Sequence, residues 1–169
     1  MSRADLTART LADELGLTDL PINPDKAAKA LGIMVVRQPG AMELSGMLLR
    51  RDGQLAIGLN PQRPRASQRF ALAHIIGHAR LHRRRDLILD ITDRTAHGPL
   101  TSLPTDREEA EANRFAGALL MPEAAVRRHA ADTQFETAAQ LVTILADQFD
   151  VSEMVMGYRL LTLGIIGDS

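Results

Sequence analysis

The feature that most constrains this 169-residue chain is a stripe in helical spacing: Phe70, His74, Gly77, His78 and Leu81 fall at i, i+4, i+7, i+8 and i+11. The stripe predicts a helix beginning at Ala66 with one face turned into a core. Imidazoles on such a face need partners, because an unsatisfied buried polar group costs on the order of 1–3 kcal/mol. Four residues apart on a helix, His74 and His78 stand about 5–6 Å apart at Cβ and can reach one ion. The same pair also fits a plainer reading, a half-buried face with two hydrogen-bonded histidines.

Composition narrows what such an ion would see. The chain has no cysteine, which excludes disulfides, thiolate zinc sites, iron–sulfur clusters and cysteine nucleophiles together. Any metal must be held by nitrogen and oxygen, so the five histidines are the scarce resource. A chain of this length buries roughly two-thirds of its unfolded surface and needs no metal merely to fold. Twenty Lys and Arg against 21 Asp and Glu, a net charge of −1, argue against a surface built wholly to grip a polyanion. Neither an apolar run approaching ~20 residues nor a signal-like apolar segment after Met1 is present in the sequence, so a cytoplasmic protein without membrane contact is expected.

The order of elements predicts an α+β fold with a helical majority. Leu6, Leu11, Leu15 and Leu17 mark a first helix ending near Gly16. Asn23-Pro24-Asp25 opens a second, closed by Gly32. Ile33–Val36, Met47–Leu49 and Leu55–Ile57 read as three short strands of one small sheet, with Asp52-Gly53 as a hairpin turn. A looser segment spans 84–105, then a helix over Asp106–Leu120, then three more helices to about Leu163 with breaks near Asp132-Thr133 and at Asp150–Ser152. Residues 1–122 are expected to form the core and 123–169 a C-terminal helical bundle packed on it.

In the helix over 106–120, Glu109, Ala112, Asn113 and Ala116 form an i, i+3, i+4, i+7 set that aims Glu109 inward. Two histidines, a glutamate and a water make a zinc site with an open position. Arg69-Phe-Ala-Leu-Ala-His-Ile-Ile-Gly-His-Ala-Arg-Leu-His82, Glu109-Ala-Glu-Ala-Asn-Arg-Phe-Ala116 and Leu119-Leu-Met-Pro122 together resemble the ImmA/IrrE family of zinc metallopeptidases. The resemblance extends to Ser45-Gly46 through Asn60-Pro61 and to Leu145–Ser152 with Arg159 and Leu163. It implies a gluzincin-like site with His74, His78 and Glu109 as zinc ligands and Asn113 orienting one histidine. It also implies a helix-turn-helix repressor as substrate or partner, in prophage, mobile-element or stress regulation.

The chain departs from that family at one position. The peptidase motif is His-Glu-x-x-His, whereas here the run is His74-Ile75-Ile76-Gly77-His78. The missing glutamate is the general base, and losing such a base typically costs about 10²–10⁴ in rate. Three accounts stay open: a silent peptidase that keeps zinc and peptide binding, a hydrolase in which Glu108 or Glu111 substitutes, or a site altered or without metal.

The remaining histidines have weaker claims. His82 lies about 12 Å along the axis from His74, too far for three rings to meet one ion, and is assigned a structural or surface role. His97 falls in the loop between the two site helices, where a hydrogen-bond donor to a transition state would be useful, and His129 reads as solvent-facing.

Two non-enzymatic rivals exist. Leu145–Ser152 and the helix after it have helix-turn-helix spacing, but that second helix offers only Arg159 as a base and reads as core, so direct nucleic-acid binding is not expected. The other rival is a metal-independent interaction module that captures an extended peptide on an edge strand of the Met47–Ile57 hairpin.

Overall fold

The computed structural model describes residues 1–40, 44–91 and 103–167. In chain order the elements are α1 (Arg3–Glu14), α2 (Pro24–Ala30), β1 (Met34–Arg37), β2 (Leu44–Arg51), β3 (Gln54–Leu59), α3 (Arg65–Leu81), β4 (Leu87–Ile91), α4 (Asp106–Leu120), α5 (Glu123–Asp132), α6 (Ala138–Phe149) and α7 (Glu153–Thr162). This is the expected α+β architecture with helices in the majority.

Local chemistry sets the helix ends. Ser2 caps α1 in a reciprocal box with Asp5, and the Asn23 side chain accepts from the Asp25 amide ahead of Pro24. Thr105 and Glu108 form the same kind of box at the start of α4. The hairpin turn between β2 and β3 has Asp52 and Gly53 both at positive φ, as a two-residue turn of this type demands.

The sheet corrects the sequence reading in two ways. Among the described residues it has four strands, not three, in the order β1-β3-β2-β4, with β1 parallel to β3 and β2 antiparallel to both β3 and β4. Strand β4 lies in the stretch read as a loose connection, and long-range pairing with β2 makes it a strand. Both strands of the Met47–Ile57 hairpin are therefore interior, and the edges are β1 and β4. The hairpin offers no free edge to an extended peptide.

Helix α3 lies between the sheet and α4, and every residue from Ala71 to Ala79 is buried. Gly77 lets α3 and α4 approach: a Cβ there would stand 2.9 Å from Phe115 Cδ1 and 3.1 Å from its Cβ. Since Phe115 is wholly buried, its ring has nowhere to retreat. Arg69 on α3 reaches the last helices, its Nε donating to the Asp150 carbonyl at 2.9 Å and an Nη to the Ile22 carbonyl at 2.7 Å. Arg159 on α7 is buried as the sequence suggested, with its Nε donating to the Met121 carbonyl. Among the described residues no helix is long and apolar enough to cross a membrane.

Candidate metal centre

The buried face of α3 carries a column of three imidazoles, His74, His78 and His82, each one helical turn from the next. The ring centroids of His74 and His78 are 4.7 Å apart, and those of His78 and His82 are 4.9 Å apart. Glu109 reaches the first two from α4, with Oε2 3.4 Å from His74 Nε2 and Oε1 3.2 Å from His78 Nε2. The two Nε2 atoms are themselves 3.1 Å apart.

Hydrogen-bond polarity decides what these three groups present to one another. The Asn113 Oδ1 accepts from His74 Nδ1 at 2.9 Å, so a neutral His74 has a bare Nε2. The Glu111 carboxylate only accepts, so His82 Nε2, 3.0 Å away, donates, and a neutral His82 then has Nδ1 as an acceptor. His78 Nδ1, 2.9 Å from it, is then the donor, and His78 Nε2 is also bare. Two ring nitrogens and a carboxylate thus converge within 3.4 Å of one another. Such a set offers three ligand atoms to one cation.

Electrostatics point the same way. Burial alone would lower the His74 pKa, but the Glu109 hydrogen bond and the negative charges of Asp90 and Glu109 outweigh it, and the net shift is upward. Burial depresses His78 and its neighbours His74 and His82 add to this, with Glu109 opposing. Burial would raise the Glu109 pKa, yet the adjoining His74 and His78 imidazoles hold its carboxyl far below the usual carboxylate range.

The donor set fits zinc. Bond lengths of about 2.0–2.1 Å in a tetrahedral arrangement put ligand atoms roughly 3.3 Å apart, and the observed separations are 3.1, 3.2 and 3.4 Å. His74, His78 and Glu109 are the one such group of three among the described residues.

The other sequence candidates fall elsewhere. Glu108 is committed to its own cap and to a paired contact with Arg85, at 2.9 and 2.7 Å, which brings its pKa down to about 2. Glu111 is shared between His82 and Arg107. His97 lies outside the described residues. His129 Nδ1 pairs with Gln148 on the surface.

Ile75 is wholly buried and points at the sheet, where its Cδ1 lies 2.6 Å from the position a Cβ on Gly46 would take. Only a glycine at 46 leaves room for it. Across the ladder Gly46 pairs with Asp90 of β4, and paired residues project to the same face. Ile88, two residues earlier on that face, is wholly buried. Asp90 thus projects toward the α3 side of the sheet, and its charge acts on His74. Sequence reasoning missed this carboxylate because it missed the strand. The run Leu87-Ile-Leu-Asp-Ile91 was the available signal.

Two histidines one turn apart on a buried helix, completed by a glutamate from the next helix, define a metallopeptidase-type domain. The chain belongs to the IrrE N-terminal-like domain family, whose description matches residues 28–161. No curated protein is similar enough to the chain to count as a match.

Proposed function

We propose that this chain holds one zinc ion through His74, His78 and Glu109 and uses the site to bind a segment of a helix-turn-helix repressor, with hydrolysis impaired by Ile75. The convergence of His74 Nε2, His78 Nε2 and the Glu109 carboxylate, 3.1 to 3.4 Å from one another, carries the metal assignment. Bound zinc would supply Lewis-acid polarisation of a peptide carbonyl. Ile75 can neither accept a proton nor leave room for one that does. The partner class rests on the family resemblance.

Elemental analysis of protein purified without chelator is expected to find one zinc per chain. Fluorescence anisotropy with labelled helix-turn-helix repressors from the same genome should then show, for one of them, binding that weakens when zinc is stripped. Zinc-free protein that cannot be reloaded would overturn the reading in favour of a metal-independent interaction module.

The placement of Asp90 supports a second reading, in which slow hydrolysis persists because this carboxylate takes up the proton that a glutamate at position 75 would have taken. Asp90→Asn is then expected to cut residual cleavage of the repressor by about 10²–10⁴-fold while zinc content stays at one. Unchanged cleavage in the variant excludes it.

A further inference from the structure

We infer that His82 and Glu111 are positioning residues for the metal centre, fixing the tautomer and ring orientation of His78. The inference rests on the zinc reading above, and three observations carry it. The Nδ1 atoms of His78 and His82 are 2.9 Å apart, the far nitrogen of His82 is 3.0 Å from Glu111, and His82 is only 9% exposed.

A buried imidazole between a carboxylate and a second imidazole has one neutral arrangement that satisfies every atom. His82 donates outward to Glu111 and accepts inward from His78. That arrangement puts the His78 proton on Nδ1 and its lone pair on Nε2, facing Glu109 and His74. Asn113 does the same for His74 directly. The two ligating rings are thus set by different devices: an amide oxygen for one, a histidine–carboxylate chain for the other. Arg107 holds the outer end, its Nε donating to Glu111 at 3.1 Å. Partners of this kind typically change metal affinity by about 10–100-fold when removed.

The test uses the full chain in three forms: wild type, His82→Ala and His82→Asn, whose Oδ1 can replace Nδ1 as acceptor. Zinc affinity is read by competition with a fluorescent chelator, and the His78 tautomer by two-bond 1H–15N correlation on metal-free protein at pH 8. The alanine variant is expected to bind zinc about 10–100-fold more weakly and to show mixed His78 tautomers. The asparagine variant should recover most of the affinity and the Nδ1-protonated form. Glu111→Ala, at the more exposed end of the chain, should lose affinity by a smaller factor without loss of fold. Identical tautomers and affinities in wild type and a folded His82→Ala would overturn the inference. Failure of the wild type to bind zinc would overturn the zinc reading instead, and the tautomer spectra would still decide the role of His82.

Discussion

Glu109→Gln is expected to weaken zinc binding by about 10²–10³-fold and to leave the metal-free fold as stable as the wild type or slightly more so. The first figure takes one ligand's share as roughly a quarter of the 10–16 kcal/mol that holds structural zinc. The second follows from how these atoms face one another. The carboxylate lies 3.2 and 3.4 Å from two imidazole nitrogens. A glutamine of the same length brings an NH2 that can donate to one of those nitrogens. Thermal melts with and without zinc check both halves. The wild type should gain stability with added zinc, while the variant should gain little at the same concentration. A variant that melts far below metal-free wild type would mean that Glu109 serves the fold rather than a cation.

Ile75→Glu carries the second large effect. In zinc-loaded protein it is expected to raise cleavage of the repressor that the wild type binds by about 10²–10⁴-fold, the usual contribution of a general base. The cost is stability. Ile75 is wholly buried against Gly46, so the variant exchanges an apolar contact for a carboxyl group with less water around it. The metal-free variant should lose about 1–3 kcal/mol, measurable by urea denaturation, and recover part of that on binding zinc. A folded, zinc-loaded variant that leaves the repressor intact would sink the view of this chain as a peptidase silenced at one position.

Much of this architecture was legible in the sequence because it is local. Helix α4 was legible to its ends from its run of Glu and Ala and the Met121-Pro122 stop, and the structure adds a Thr105–Glu108 cap at its start. The breaks at 132–133 and 150–152 appear where expected, the second with Asp150 in a left-handed conformation. The i, i+4 stripe brought His74 and His78 together, and the α4 periodicity brought Glu109 to them. Strand β4 was harder to read because its five-residue run is a short signal and its pairing partner β2 lies about forty residues earlier. His82 is a different case. The 12 Å that separates it from His74 does exclude a shared ion, but the same one-turn spacing that joins His74 to His78 joins His78 to His82. Hydrogen bonds pass along the column where a metal could not.

The burial of α3 has a consequence for how the centre is kept. Backbone segments open locally in proportion to how little they bury, and the run from Ala71 to Ala79 has no exposed side. Its amides are expected to be among the slowest to exchange with solvent. The histidines sit on this buried run, whereas Glu109, with 20% of its side chain exposed near the start of α4, sits on the element better able to fray. An ion would then arrive and leave more readily from the carboxylate side than past the imidazoles.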